Sequence, residues 1–163
     1  MRLVVYLPAL NEASTIGAVL ETIPRRMAGV DTVVTVVIDD GSTDGTAEIA
    51  ARCGAKVVRH PRNLGTGRAF VSGVSAGLKA GGDIIVSMDA DGQFRGEDVE
   101  KLIAPIVAGD ADVVLCSRFA NRNMVGEMRW LKRRKSDEAE LQQLMVSDRG
   151  ESQWRAIKLE VED

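Results

Sequence analysis

The chain has 163 residues, with 24 acidic against 21 basic side chains and a net charge of −3. That length supports one domain with its own apolar core and leaves no room for a second of ordinary size. A hydrophobic fraction of 45% and a charged fraction of 28% are those of a globular protein, while a 4% aromatic content and no net positive field set nucleic acid aside as the main partner.

Cys53 and Cys116 stand far apart and outside any CxxC spacing, so they read as reduced thiols rather than as a disulfide or a zinc site. The opening MRLVVYL reads as a strand, because Pro8 and Asn11-Glu12 interrupt any signal-peptide-like apolar stretch. No apolar run approaches the roughly 20 residues that cross a bilayer. The expectation is a cytoplasmic protein.

Short apolar runs alternate with helical patterns along the first two thirds of the chain. A strand over 3–7 leads to a helix carrying Ile16, Val19, Leu20 and Ile23, with Ser14 or Thr15 at its N-cap. A strand over 33–38 leads to a second helix, started by Thr43 or Asp44 and closed at Gly54. A strand over 56–59 precedes a third helix, whose apolar stripe is Phe70 or Val71 with Val74 and Leu78 and which closes at Gly81-Gly82. A strand over 83–88 precedes a fourth helix with Val99, Leu102, Ile103 and Ile106, and a last strand is expected over 112–116. The strands are Val- and Ile-rich and nearly continuous in apolar character, as in parallel sheets covered on both faces. The fold class is therefore α/β, an open, mostly parallel sheet flanked by helices.

After Phe119 the pattern changes. Met124, Met128 and Leu131 fall at helical spacing before the basic run Lys132-Arg133-Arg134-Lys135. Residues 136–163 are mostly charged and polar, with room for a helix over 137–146 and no strong strand. The expected organisation is a binding domain over 1–135 and a polar C-terminal tail over 136–163, mobile or ordered by a partner, a second copy of the chain among the candidates.

Polar residues gather where the strands end. The first strand runs into Pro8-Ala9-Leu10-Asn11-Glu12, the second into Asp39-Asp40-Gly41-Ser42, the third into His60, the fourth into Asp89-Ala90-Asp91-Gly92-Gln93 and the last into Ser117-Arg118. Ligands of open α/β sheets bind beyond these carboxyl ends. Asp89 and Asp91, at i and i+2, suit a hard divalent cation with positions left open for phosphate oxygens, and Gln93 can add a carbonyl oxygen. The competing reading is an acidic turn on Gly92. Of the two aspartates after the second strand, Asp39 can cap the second helix instead of touching a ligand, and Asp40, nearer the rim, is the better candidate to accept hydrogen bonds from a base or ribose. Glu12 can be a first-turn helix carboxylate. His60 can be a strand-end residue before Pro61. Gly65 and Gly67 form either a phosphate cradle or a tight turn.

Taken together, PALNE at 8–12, VVIDDGSTDGT at 36–46, HPRNLGTGRA at 60–69, DIIVSMDADGQF at 83–94 and ADVVLCSRF at 111–119 resemble the family 2 inverting glycosyltransferases, most closely the polyprenyl- or dolichyl-phosphate mannose synthase branch. The resemblance covers about residues 3–135. It implies the glycosyltransferase A-type fold and a nucleotide diphosphate sugar, GDP- or UDP-linked, lying over the sheet edge. Pro8, Leu10, Glu12, Ile38 and Asp40 would line the nucleoside pocket. Asp89, Asp91 and Gln93 would hold Mg2+ or Mn2+ against the diphosphate, with Ala90 on the ribose side and Arg118 facing the donor. Asp91 and Arg118 are the residues expected to act on the leaving diphosphate. Where relatives often carry tyrosine, Leu10 offers apolar packing only.

The implied reaction moves a hexose with inversion to an acceptor. A polyprenyl phosphate fits the branch, and the basic stretch at 129–135 could meet an anionic inner membrane face. The late Asp and the Gly-Phe-Arg-like element of the family do not follow Ser136, so the chain reads as truncated or as carrying a replaced tail. A non-catalytic donor-binding remnant is the alternative. A haloacid dehalogenase-type phosphatase shares the DxDG string, but expects Thr or Ser at Gln93 and the motif on the first strand. A Rossmann dehydrogenase lacks its GxGxxG after the first strand.

Overall fold

The structure, a computed structural model, describes residues 1–114 and 146–147. Its elements in chain order are β1 (Arg2–Ala9), α1 (Ile16–Thr22), β2 (Thr32–Asp39), α2 (Thr46–Arg52), β3 (Lys56–Arg59), α3 (Thr66–Lys79), β4 (Ile84–Ser87), a single 3-10 turn (Gly96–Asp98), α4 (Val99–Ala108) and β5 (Val146–Ser147). The strands form one sheet in the order β3-β2-β1-β4-β5. The first four are parallel, in register Leu3↔Val33 between β1 and β2, Leu3↔Ile84 between β1 and β4, and Val37↔Val57 between β2 and β3. The two-residue β5 runs antiparallel to β4.

Strand β1 lies at the centre and shows why its sequence is apolar without alternation. Leu3, Val5, Leu7 and Ala9 face a core built with α1 and α4, through Ile16, Val19, Leu20, Val99, Ile103 and Ile106. Val4 and Tyr6 face the opposite core with Val36, Ile38, Ile85 and Ala69 of α3. A strand covered on both sides has no solvent face to carry polar residues.

Helix α3 departs from the expected stripe. Val71 and Leu78 are exposed, at 56% and 44%, and the buried face is instead Ala69, Gly73 and Gly77, flanked by partly buried Phe70 and Val74. Tyr6 and Ile85 fill the space beneath the helix: a Cβ on Gly73 would stand 2.1 Å from the Tyr6 ring, and one on Gly77 2.9 Å from Ile85. Close approach replaced side-chain volume, which an apolar stripe cannot reveal.

The expected strand over 112–116 also differs. Ala111 and Val114 are buried in the first core, but residues 111–114 are not part of the sheet, and 115–116 lie outside the described residues. The place beside β4 is taken by Val146–Ser147, from the stretch expected to hold no strong strand. Val113 and Val114 serve burial without pairing, and two residues such as Val146–Ser147 are too few for any periodicity to announce a strand. The helical patterns at 121–135 and 137–145, the basic run and Cys116 lie outside the described residues. Cys53 is a free, partly buried thiol. No helix among the described residues is long and apolar enough to cross a membrane.

Candidate functional site

The chain builds β1, β2 and β3 in one direction across the sheet and then returns to place β4 on the other side of β1. The strand order thus reverses between β1 and β4, and the carboxyl ends of such strands are where open α/β sheets receive ligands. The loop 10–15 follows β1 and the segment 88–95 follows β4.

The loop after β1 is shaped by the loop after β2. Three consecutive backbone N–H groups are taken up by side chains of the second loop: Asn11 donates to Ser42 Oγ (2.9 Å), Glu12 to Thr46 Oγ1 (2.9 Å) and Ala13 to Asp44 Oδ2 (3.0 Å). Asn11 returns the contact, its Oδ1 accepting from the Thr43 N–H at 3.0 Å, and it adopts a left-handed φ of 57°. Asp44 also accepts from the Thr46 N–H (3.1 Å) and hydroxyl (2.6 Å), and these bonds, with that from Ala13, hold its carboxyl below the usual range. The expected helix caps are thus rearranged. Gly45 occupies the N-cap of α2, Asp44 covers its first N–H, and the Thr15 hydroxyl turns back to Glu12 Oε2 at 2.8 Å rather than capping α1. The available signal for this clamp was the polar alternation Ser42, Asp44, Thr46, each at every second position.

The two adjacent aspartates at the end of β2 divide their work. Asp39 is fully buried; its Oδ1 accepts from the Ser42 N–H (2.9 Å), and Arg59 Nε lies 3.0 Å from Oδ2. That approach pairs the charges without hydrogen-bond alignment, so Oδ2 lacks a true hydrogen-bond partner. Asp40, 5% exposed, accepts from His60 Nδ1 (2.6 Å) and the Leu64 N–H (2.9 Å) on Oδ1, and from the Gly65 N–H (2.9 Å) on Oδ2. Burial opposes the charge of Asp40, but the bond from His60 and then those from Leu64 and Gly65 outweigh it and hold the carboxyl below its ordinary value. Neither aspartate caps α2. His60 is itself buried, and its Nε2 meets Ser72 Oγ at 2.9 Å. Gly65 spends its N–H on Asp40 and on Asn63 Oδ1 (2.9 Å), which favours the turn over the phosphate cradle. The closeness of the two loops explains Gly41: at φ 84° its Cβ position lies 2.5 Å from the Arg62 backbone.

The rim after β4 is more open. Asp89 is half-buried, whereas Asp91 and Gln93 are exposed. Asp91 Oδ1 accepts from the Gln93 N–H at 2.9 Å. Beneath this rim the Tyr6 hydroxyl is buried without a hydrogen bond of acceptable geometry, although Ser87 stands beside it. Its pKa is pushed up to about 12, by burial above all, with Ser87 opposing and the charge of Asp89 adding to the rise.

Of the residues expected to line a donor site, Pro8 and Glu12 are half-buried at the rim and Leu10 is 38% exposed beside them. The side chains of Ile38 and Ala90, at 0% and 3% exposure, pack in the second and the first core respectively. Arg118 lies outside the described residues.

Residues 4–160 match the model of glycosyl transferase family 2. An uncharacterized glycosyltransferase of Mycobacterium tuberculosis is 41% identical over 126 residues, which cover 77% of this chain and 51% of that protein. The polyprenol monophosphomannose synthase of Mycolicibacterium smegmatis is 29% identical over 135 residues, covering 79% and 49%. Among solved structures, glucosyl-3-phosphoglycerate synthase from M. tuberculosis, in complex with Mn2+, UDP-glucose and phosphoglyceric acid, matches with a TM-score of 0.61 at 29% identity over 89% of this chain and 56% of that one. The fold is the glycosyltransferase A-type. The chain spans about half the length of these curated relatives.

Proposed function

The chain belongs to glycosyl transferase family 2, and from that premise we propose that it binds a nucleotide diphosphate sugar across the carboxyl ends of β1 and β4 and passes the hexose, with inversion, to an acceptor. The observation that carries this reading is the pair Asp89 and Asp91, half-buried and exposed, at the point where the strand order reverses. Pro8 at the end of β1, with Leu10 and Glu12 in the loop clamped by Ser42, Asp44 and Thr46, would form one wall for the nucleoside, and Asp40 would accept a hydrogen bond from its base.

The donor set at the β4 rim is all oxygen, two carboxylates and the Gln93 amide, which fits Mg2+ or Mn2+. Among the described residues no cluster of three or more His, Cys, Asp or Glu side chains can enclose an ion. Phosphate oxygens of the donor would add to these ligands. A bound divalent ion supplies electrostatic stabilisation of the departing diphosphate. Asp89, Asp91 and Gln93 would hold it, and Arg118 would add its charge to the same diphosphate. A phosphate acceptor is already ionised, so a polyprenyl phosphate would lessen the need for a general base. The stretch at 129–135 would draw the chain to an anionic inner membrane face, and the tail over 136–163 is the candidate contact for a second copy.

Calorimetric titration of UDP and GDP with Mn2+, followed by chelator, tests the donor site. Binding that needs the metal supports it; equal affinity with and without Mn2+ removes the metal assignment.

A further inference from the structure

The way Asp40 is held has a consequence for which base the site accepts. A carboxylate offers about two acceptor positions on each oxygen. On Asp40, both positions of Oδ1 are filled, by His60 Nδ1 at 2.6 Å and the Leu64 N–H at 2.9 Å, and one position of Oδ2 is filled by the Gly65 N–H at 2.9 Å. Among the described residues' contacts, a single acceptor position remains, on Oδ2. Guanine presents two neighbouring donors, N1–H and the N2 amino group, that grip a carboxylate through both oxygens at once. Uracil presents one ring N–H, flanked by carbonyls.

We propose that His60, the one histidine of the chain, is a specificity-determining residue: by filling Oδ1 of Asp40 together with Leu64, it leaves a one-donor socket that favours uracil-type over guanine-type donors. This rests on the proposed placement of the nucleoside against Asp40. Ser72, on α3, holds the ring from behind through Nε2 at 2.9 Å. Because the carboxylate only accepts, Nδ1 carries a proton, and in the neutral ring Nε2 accepts from the Ser72 hydroxyl. The carboxylate thus sets the tautomer, and the rear contact holds the ring that caps Oδ1. A guanine base could reach both oxygens only by displacing His60 or the Leu64 N–H, leaving a buried donor unpaired. If His60 were merely a staple for the loop 61–65, its loss would weaken every nucleotide alike.

The test uses the full chain with saturating Mn2+ and three probes: UDP, GDP and N3-methyl-UDP, which lacks the ring N–H. The wild type is expected to bind UDP at least about tenfold more tightly than either of the others, the range for one hydrogen bond to a charged group. His60→Ala should narrow the UDP-to-GDP ratio by about tenfold, whereas His60→Asn, whose amide can donate to Oδ1 in place of Nδ1, should preserve it. Preference for GDP in the wild type, or an unchanged ratio in His60→Ala with both affinities reduced alike, overturns the proposal. Should His60→Ala fail to fold, the wild-type comparison of UDP with its N3-methyl derivative still decides, since equal affinity for the two overturns it. Failure of the wild type to bind any of the three probes refutes the donor site itself, and the inference with it.

Discussion

The rim after β2 and the rim after β4 carry similar acidic strings, DDGSTDG and DADGQ, yet they are built to opposite ends. At the first, Asp39 and Asp40 are buried, Asp39 Oδ1 accepting from Ser42 with Arg59 alongside Oδ2, and Asp40 accepting from His60, Leu64 and Gly65. At the second, Asp91 stands exposed and uses one oxygen on the next loop N–H. The lesson is that an acidic motif at a strand end can be scaffold or socket, and that burial together with the count of donors already engaged separates the two. The first rim spends most of its carboxylate oxygen on holding the loops and leaves one acceptor position on Asp40 Oδ2, whereas the second keeps an exposed carboxylate at Asp91.

The contrast is broken most forcefully at Asp40. Asp40→Ala strands the His60 ring and two backbone N–H groups, and is expected to cost about 3–5 kcal/mol in urea unfolding. A loss below about 1 kcal/mol would mean that the loop 61–65 stands without it. Next in size is Thr46→Val. Thr46 is fully buried, accepts from the Glu12 N–H and donates to Asp44 Oδ1. Removing its hydroxyl while keeping its volume should cost about 1–3 kcal/mol. Faster hydrogen exchange at Glu12 and Ala13 would locate the damage in the clamp.

A smaller effect lies in the acid limb of stability. The folded state holds the Asp40 carboxyl below its ordinary value, so it binds that proton more weakly than the unfolded chain does. The resulting stabilisation is complete above the unfolded value of about 4 and is lost as pH falls through the lower folded value. Asp40→Asn should therefore flatten the decline of stability below about pH 4, and an unaltered slope would assign the acid limb to other carboxyls. The smallest expected change is Tyr6→Phe. The buried hydroxyl has no partner, so its removal should leave stability unchanged or raise it by up to about 1 kcal/mol. A clear loss would reveal a bond from Tyr6 to Ser87 or Asp89.

Much of this arrangement is legible in the sequence because it follows from burial along regular elements. The two-sided apolar character of residues 3–7 fixes β1 as a central strand, and Ile16, Val19 and Leu20 mark the inner face of α1. Asp89 and Asp91 are identifiable as a rim pair because they follow a buried strand directly. What the sequence hides is close approach and long-range pairing. Gly73 and Gly77 read as breaks in an apolar stripe, yet they are the contact with Tyr6 and Ile85. His60 joins residues 20 positions before it and 12 after it, Asp40 and Ser72, and no local pattern links the three. Ile38 lies one residue from the rim and is wholly core, because a period of two cannot say where a sheet's cover ends.

The division of labour between the two rims is tested most directly by Asp91→Ala, read for stability and for Mn2+-dependent UDP binding in the same preparation. Asp91 is exposed and carries little of the core, so unfolding should shift by no more than about 0.5 kcal/mol while metal-supported binding is lost. A variant that binds UDP as the wild type does, or one that unfolds, would contradict the assignment of the β4 rim as the open, ligand-holding edge.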